Sequence, residues 1–389
     1  MPGPLAGVQL LEFAGMGPGP FAAMLLADMG ADVIRIDRPA PEQAAAPARP
    51  RPANPLLRGR RSIALDLKHP AAAGLALRLA AGADLLVEGY RPGTMERLGL
   101  GPGECLERNP RLVYGRATGW GQTGPLRSTA GHDLNYLALS GALHALGRAG
   151  QPPAPPANLL GDYAGGGLYL AFGLVCALRQ AQLSGAGQVV DAAIVDGVAG
   201  LTTTLQWMTS TGQWTAARGT NELDSGAPYY DVYETADGEF VSVAALEPKF
   251  WAELCRVLGL SGPDWDSREP GAWARQRQQL TGLFRSRTRD EWTAVFAGAD
   301  ACFAPVLSPA EAPAHPHNAA RRVFTVRDGV PEPAPAPRLS RTPGTAGGPA
   351  PRPGQHTTEI LHGLGLTDTE IDDLAATGAV CAQRGAETS

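Results

Sequence analysis

The chain has 389 residues, and its 33 lysines and arginines against 38 aspartates and glutamates give a formal net charge of −5. This charge argues against nucleic-acid binding, and 44% hydrophobic with 18% charged residues excludes wholesale disorder. Five widely spaced cysteines without a C-x-x-C pair argue against a disulfide framework or a zinc site. We see no apolar run of the ~18 residues that are needed to span a bilayer, and no secretory signal. We therefore expect a cytoplasmic protein without a membrane partner, and its size suggests an enzyme.

The first 120 residues alternate between short apolar runs and stretches of helical periodicity. Strands separated by helices of about ten residues form a parallel sheet that is covered on both faces, so the predicted fold class is α/β. A long apolar helix and a further strand-like run come next. The predicted strands are 8–13, 33–37, 62–65, 85–87, 112–117 and 189–195, and the helices are 21–29, 70–81 and 164–182.

A different pattern begins near residue 226. Strands are predicted at 229–235 and 239–245, and the Asp237-Gly238 pair between them is typical of a hairpin. With helices at 250–258 and 289–297, this region forms a separate α+β unit. Two Pro/Ala-rich stretches, 39–55 and 331–353, read as extended surface connections, and the chain closes on a helix-turn-helix at 357–363 and 368–376.

The glycine-rich turn after the first strand has two possible interpretations. Gly15, Gly17 and Gly19 precede a helix, and Asp37 ends the next strand, as in a dinucleotide-binding fingerprint. However, Pro20 stands where the third glycine is needed, and prolines have no N–H group to bind a pyrophosphate. We therefore interpret this segment as a strand-to-helix turn with proline in the first helical turn.

Three residues are candidates for acid–base chemistry, and each also has a purely structural interpretation. His132 could simply begin a helix, and Glu247 could be a solvated loop residue. Asp162 could be an ordinary helix N-cap, although a helix N-terminus stabilises a carboxylate. The glycines at 165–167 would let a ligand approach the backbone closely.

Basic residues cluster near the predicted strand ends of the first domain. Ligands of open parallel sheets lie outside the carboxyl ends of the strands, so this cluster indicates an anionic ligand with several phosphates. The alternative is solvated surface charge. The residues are Arg35, Arg38, Arg58, Arg60, Arg61, Lys68 and Arg91.

Several long motifs in register resemble the family III CoA-transferase (CaiB/BaiF) superfamily and, within it, the α-methylacyl-CoA racemases. The resemblance covers about residues 1–325 and the closing segment 357–380. The 39–55 stretch departs from it, because it is longer than the family pattern implies. The motifs are GPGPFAAMLLADMGADVIRIDRP (17–39), RGRRSIALDLK (58–68), AGHDLNYLALSG (130–141), NLLGDYAGGG (158–167), GQVVDAAIVDG (187–197) and the stretch 224–248.

The resemblance implies a role for each candidate residue. His132 and Asp162 would form the acid–base pair, with Glu247 supporting His132. Transferases of the superfamily share the aspartate, as an acyl-accepting nucleophile, and typically lack the histidine. The Asp133 N–H would face the thioester oxygen. CoA contacts would map to Arg38, Leu65, Asp66, Leu67, Lys68, Arg91, Gly131, His132, Asp133, Leu134, Asn135 and Tyr136.

The resemblance also implies an architecture. A large Rossmann-like parallel-sheet domain and a smaller α+β domain would form a homodimer of interlocked rings, in which Glu247 comes from the partner chain. The large domain would begin with 1–200, followed by a linker at 201–225 and the small domain at 226–320. Residues 321–389 would return to complete the large domain.

The expected activity is that of an isomerase that inverts the α-carbon of 2-methylacyl-CoA thioesters by proton transfer through an enolate. Two side chains on opposite faces suffice, so no metal or redox cofactor is expected, and the CoA thioester is the substrate. A CoA-transferase acting through an Asp162 acyl anhydride is the alternative. A non-catalytic CoA-binding relative is disfavoured, because all three candidate residues are present together. An aspartate is a weak base unless burial raises its pKa, and the sequence leaves open whether burial or the helix N-terminus dominates.

Overall fold

The computed structural model describes residues 3–39 and 53–381, so most of the 39–55 insert lies outside the described residues. The strands are β1 (Gln9–Phe13), β2 (Asp32–Asp37), β3 (Arg60–Ala64), β4 (Leu85–Glu88), β5 (Val113–Thr118), β6 (Val189–Ala193), β7 (Tyr230–Glu234), β8 (Phe240–Ala244), β9 (Phe303–Pro305), β10 (Phe324–Arg327) and β11 (Val330–Pro333).

The α-helices are α1 (Pro18–Asp28), α2 (Pro70–Gly82), α3 (Thr94–Arg97), α4 (Pro102–Arg108), α5 (Asp133–Leu139), α6 (Ala142–Ala145), α7 (Tyr169–Ser184), α8 (Ile194–Leu201), α9 (Thr203–Ser210), α10 (Pro248–Leu258), α11 (Pro263–Asp266), α12 (Pro270–Phe284), α13 (Arg289–Val295), α14 (Pro316–Arg321), α15 (Thr357–Gly363) and α16 (Asp368–Ala376). A π-helix, Leu159–Leu168, leads directly into α7, and short 3-10 helices lie at Pro55–Leu57 and Ala312–Ala314.

Contacts divide the chain into two compact units. The sheet unit comprises 1–140, 157–201 and 322–389, and the second unit comprises 141–156 and 202–321. The chain therefore crosses between the units near residues 140, 156, 201 and 321, and the segment 141–156 and the predicted linker 201–225 lie almost entirely in the second unit. The C-terminal segment belongs to the sheet unit, where Asp66 donates its N–H to the Ala379 carbonyl at 3.0 Å.

The sheet unit is built on six parallel strands in the order β3-β2-β1-β4-β5-β6. This is the doubly wound order of a Rossmann-like fold, and it confirms the predicted α/β class. The strand order reverses between β1 and β4. In open α/β sheets the crevice beside that reversal, at the carboxyl ends of the strands, is where ligands bind.

Both faces of the sheet are buried, because successive residues of each strand pack against different helices. In β1, Leu10 joins a cluster with residues of α1 and α7, whereas Leu11 and Phe13 join a cluster with α2 and the C-terminal helices. Ile360 and Leu361 of α15 belong to this second cluster. This double burial explains why the predicted strands are short and mainly apolar.

The second unit contains an antiparallel sheet in the order β7-β8-β9, as its α+β pattern predicts. Glu234 pairs with Phe240 across the predicted hairpin, and Gly238 has the positive φ of 77° that this tight turn needs. Aromatic side chains dominate the core, and Phe284 packs edge-on against Trp292 with ring centroids 5.2 Å apart.

The predicted helix 164–182 begins five residues earlier than expected, at Leu159. Asn158, and not Asp162, is its N-cap residue, so the N-cap interpretation of Asp162 is wrong. The glycines at 165–167 do not leave space for a ligand either. They are buried, and a Cβ at Gly166 or Gly167 would lie 2.8 Å from Pro18 or 2.6 Å from Phe21. Their role is to let neighbouring helices approach.

The continuous helix Leu159–Ser184 has 26 residues and is long and apolar enough, by length and composition alone, to cross a membrane. This finding differs from the expectation that no run is long and apolar enough to span a bilayer. In the structure α7 packs against β5, β6 and α1, which is the packing of a core helix on a sheet.

The Pro/Ala-rich return stretch 331–353 is not wholly a surface connection. Its first residues belong to β11, which pairs with β10, and Glu332 is buried. The Arg58 guanidinium donates to the Pro333 carbonyl at 2.9 Å and lies 3.7 Å from the Glu332 carboxylate. A buried ion contact therefore fixes this segment to the start of β3.

Candidate active site

A cavity of about 350 Å³ lies at the carboxyl edge of the sheet, beside the strand-order reversal. The residues that follow β1, β4 and β5 form its walls. His132 and Asp162, the predicted acid–base pair, both line it, although Asp162 comes 30 positions after His132 in the chain. Its other lining residues include Met16, Gly17, Arg91, Trp120, Arg127, Gly131, Tyr136 and Ile194.

His132 is the N-cap residue of α5, as its helix-start interpretation predicts. Its backbone N–H donates to Asn135 Oδ1 at 3.0 Å, so the Asn135 side chain supplies this half of a capping box. The residue is exposed and lines the cavity. The structural and the chemical interpretations of His132 are therefore compatible.

Asp162 lies in the first turn of the π-helix and is half-buried. Burial is the largest cause that raises the pKa of its carboxyl above the ordinary value, and the nearby Asp133 carboxylate adds to it. A hydrogen bond with Asn158 and the charge of His132 oppose this shift without cancelling it. Burial is thus the dominant influence among these groups, and a raised pKa makes Asp162 a stronger base.

Gly17 faces the Asp162 carboxylate from the turn between β1 and α1. A Cβ at this position would lie 3.1 Å from Asp162 Oδ2, and the backbone has φ 69° and ψ −121°, which suits only glycine. The turn that we interpreted as purely structural is therefore part of the cavity wall. Its missing side chain keeps one side of the carboxylate open.

A second cavity of about 590 Å³ lies along the same edge, beyond β2 and β3. Five of the predicted CoA contacts line it, and they are Arg38, Leu65, Asp66, Leu67 and Lys68. Tyr90 lines both cavities, so the two are neighbours along the sheet edge. The exposed cations Arg38 and Lys68 would suit an anionic group in this second cavity.

The predicted basic cluster separates into two sets. Arg38, Lys68 and Arg91 are exposed, and they form no ion pair with another described residue. Arg58 and Arg60, in contrast, are buried and bound by carboxylates.

The carboxylate partners of the second set are part of the fold. Arg60 Nε donates to Glu12 Oε2 at 2.5 Å, and Arg58 donates to both carboxylate oxygens of Asp28, at 2.9 and 2.5 Å. Arg35 forms ion pairs with Glu12 and Asp37. The half-exposed Arg61 forms ion pairs with Asp32 and Glu359. The prediction of a ligand-binding role is therefore wrong for Arg35, Arg58, Arg60 and Arg61.

The remaining predicted residues lie as follows. Gly131 and Tyr136 line the first cavity, and the Tyr136 hydroxyl donates to the Gly131 carbonyl. The Asp133 side chain is buried, whereas Leu134 and Asn135 are exposed on α5. Glu247 belongs to the second unit, where it is the exposed N-cap residue of α10.

Among residues 3–39 and 53–381, no group of three His, Cys, Asp or Glu could hold a metal ion.

Comparison with known proteins decides the family. The model of CoA-transferase family III matches residues 5–357. This chain belongs to that family. The mouse α-methylacyl-CoA racemase is 45% identical over 371 residues, which are 94% of this chain and 95% of the relative. The human α-methylacyl-CoA racemase is 44% identical over 374 residues, which are 95% of this chain and 96% of the relative. A crystal structure of a CaiB/BaiF family protein from Brucella suis, 25% identical, has a TM-score of 0.80 and covers 94% of this chain and 100% of its own.

Three residues of this family III chain lie at the site without having been predicted there, although Gly17 was named in the glycine-rich turn. Trp120 follows β5 and packs edge-on against Tyr136, with ring centroids 4.7 Å apart. Tyr90 joins the two cavities, and Gly17 faces Asp162. Their position directly after a parallel strand was an available signal, since the carboxyl ends of such strands carry functional residues.

Proposed function

We propose that this chain inverts the α-carbon of 2-methylacyl-CoA thioesters by 1,1-proton transfer, as an isomerase. The observation that carries the proposal is that His132 and Asp162 line one cavity at the ligand-binding edge of the sheet. The 45% identity with the mouse α-methylacyl-CoA racemase supports it, since that alignment spans nearly the whole of both chains.

The reaction removes the α-proton, passes through an enolate and returns a proton to the opposite face. One of the two residues takes the proton as a base, and the other delivers its own as an acid. The raised pKa of Asp162 serves this exchange, because it brings the aspartate closer to the range in which histidine titrates. Each enantiomer then loses its α-proton to a different residue.

The enolate oxygen needs a hydrogen-bond donor where its negative charge develops. Asp133 is the first residue of α5, and the N–H groups of a first helical turn have no acceptor within their helix. In this proposal the Asp133 N–H faces the thioester oxygen and stabilises the enolate. Both proton carriers are side chains, so the proposal includes no metal or redox cofactor.

The CoA moiety anchors the substrate in this proposal. Arg38 and Lys68 in the larger cavity and Arg91 in the smaller one are exposed cations, which suits binding of phosphates. Binding energy gained at the CoA end then positions the α-carbon between His132 and Asp162. The proposal places the enzyme in the cytoplasm, with neither a membrane nor a nucleic-acid partner.

We further propose that two chains form an interlocked homodimer, in which Glu247 of the partner subunit supports His132. An exposed apolar stripe on α7 and the preceding residue supports an interface: Leu168, Phe172 and Val175 are 49%, 71% and 41% exposed. Light scattering of the active enzyme should give twice the chain mass, and Phe172→Glu should weaken the dimer and the activity together. A folded, fully active monomer would overturn this part of the proposal.

Proton NMR in deuterated water tests the central reaction. A single enantiomer of a 2-methylacyl-CoA should lose its α-proton signal while the opposite enantiomer appears, and both enantiomers should exchange. The CoA-transferase alternative, favoured by the family description, predicts no racemisation. It predicts instead that CoA moves to an added carboxylate and that hydroxylamine traps an acyl group on Asp162. That result would refute the racemase proposal.

A further inference from the structure

The Asp133 side chain connects the two elements that carry the proposed proton carriers. It is buried at the start of α5, directly after His132. Its Oδ1 accepts the backbone N–H of Asp162 at 2.6 Å. That N–H belongs to the first turn of the π-helix, where helical N–H groups lack an intrahelical acceptor, so Asp133 caps the helix that presents Asp162.

The fit between Asp133 and the π-helix is close. A side chain at Gly161 would clash with Asp133 Oδ1, so the carboxylate lies directly against the backbone beside Asp162. The other oxygen, Oδ2, is buried and has no hydrogen-bond partner among the described residues. A cap alone needs one acceptor oxygen, so the second oxygen places a buried negative charge beside Asp162 that the capping role does not require.

We infer that Asp133 is a positioning residue for proton transfer, whose carboxylate fixes the Asp162 backbone and whose negative charge makes Asp162 a stronger base. The inference rests on the proposed racemase function and assigns the side chain a role separate from that of the Asp133 N–H. It explains why a charged residue occupies a capping site whose second oxygen finds no partner.

The charges around Asp162 determine how its pKa should respond when the Asp133 charge is removed. Asp133 raises the pKa of Asp162 together with burial, while Asn158 and His132 lower it. The same charges act on Tyr136, where burial is the largest cause that raises the pKa of the hydroxyl; Asp162 and Asp133 add to it and Arg91 opposes it. Removing the Asp133 charge leaves the other groups in place and takes away one cause that raises the pKa of Asp162.

The informative variant is Asp133→Asn, which keeps an oxygen to accept the Asp162 N–H and removes the charge. For the enantiomer whose proton goes to Asp162, exchange needs the ionised carboxylate and fails at low pH. Because the variant lowers the pKa of Asp162, this acid limb should move to lower pH. The plateau rate should fall, since a weaker base works there, but by less than the ~10²-fold minimum expected for losing an acid–base group. A structural cap alone would leave the acid limb unmoved.

Asp84→Asn is the matched control. Asp84 Oδ2 also accepts a backbone N–H, that of Gln9 at 2.9 Å, but at the amino edge of the sheet, so its pH profile should equal that of the wild type. Asp133→Ala removes acceptor and charge together, and its plateau rate should fall further than that of Asp133→Asn. If Asp133→Asn does not fold, Gly161→Ala tests the same contact, since its methyl group displaces the Asp133 carboxylate and should lower the plateau rate.

Direct titration keeps this inference separate from the proposed function. The Asp162 carboxyl is followed by infrared or NMR spectroscopy and assigned with Asp162→Asn, in wild type and in Asp133→Asn. A lower titration midpoint in Asp133→Asn supports the inference even without turnover. An unchanged midpoint and an unchanged acid limb overturn it while leaving the racemase proposal intact, whereas a wild type that exchanges no α-proton refutes the racemase proposal.

Discussion

Two sets of basic residues in the sheet unit differ in what surrounds their charge. Arg58 and Arg60 are buried, and carboxylates of the same chain bind them. Arg38 and Arg91 are exposed, line cavities at the carboxyl edge of the sheet and have no carboxylate partner among the described residues. A charge that already has its partner holds the fold together, whereas one without a partner is available to a ligand. Substitutions in the two regions should therefore affect stability and turnover separately.

The largest effect on turnover is expected for His132→Ala, which removes one proton carrier. Racemisation should fall by about 10²–10⁴-fold with little change in melting temperature. Residual α-proton exchange in deuterated water should favour the enantiomer whose proton faces Asp162, and Asp162→Asn should show the opposite preference. Proton NMR of both enantiomers measures the rate and the preference together.

His69→Ala is the matched control for this substitution. His69 is also a helix N-cap, with its Nδ1 accepting the Ala71 N–H at 3.2 Å, but it lines neither cavity. It should lose about 1 kcal/mol of stability and keep the wild-type exchange rate. Full racemisation by His132→Ala would return His132 to the role of a helix-start residue.

The largest effect on stability is expected for Arg58→Ala. The substitution leaves the Asp28 carboxylate buried without its partner, and breaking such a buried pair costs about 3–5 kcal/mol. Arg61→Ala is the neighbouring control, because Arg61 pairs with the exposed Asp32 and Glu359, and such pairs are worth about 0–1 kcal/mol. Urea unfolding of both variants measures the difference. Equal losses would contradict the expected difference in stability between the buried ion pair of Arg58 and the half-exposed ion pairs of Arg61.

The sequence was most informative where the signal was local. Apolar residues placed each strand of the six-stranded sheet to within one or two residues, because buried apolar side chains recur along these strands. It was least informative where partners are distant in the chain. Arg60 and Glu12 are 48 residues apart, and Glu332 lies 274 positions beyond Arg58, so nothing local marked these arginines as structural. The early start of the helix at Leu159 likewise depends on packing against α1, which no local pattern records.

Gly17→Ala should have an intermediate effect on turnover. The new methyl group would lie 3.1 Å from Asp162 Oδ2 and narrow the open side of the carboxylate, and small displacements of a reacting group can cost up to about 10²-fold in rate. Gly99→Ala controls for backbone strain, because Gly99 has a similar φ of 70° and open space around it. Both variants should lose about 1–3 kcal/mol of stability, while only Gly17→Ala should lose activity. Equal activity in the two variants would show that the open side of the Asp162 carboxylate at Gly17 is not needed for turnover.

Arg91→Ala should have the smallest effect, and it tests the exposed set of basic residues directly. A phosphate contact is present equally in the bound substrate and in the transition state, so its loss raises KM and leaves kcat nearly unchanged. A charge-assisted hydrogen bond is worth about 1.5 kcal/mol, which corresponds to a roughly tenfold rise in KM for the acyl-CoA. Added salt should raise KM less in the variant than in the wild type, because the variant has lost a screened interaction.

Arg97→Ala is the control for this last comparison, since Arg97 is exposed nearby but lines neither cavity and donates to Thr94 Oγ1 at 3.1 Å. Its KM and salt dependence should equal those of the wild type. If Arg91→Ala also keeps the wild-type KM, Arg91 is ordinary surface charge, and the CoA phosphates must be bound by Arg38 and Lys68 alone. If kcat falls while KM stays constant, Arg91 acts on the reacting end of the substrate, because it shares the cavity of His132 and Asp162.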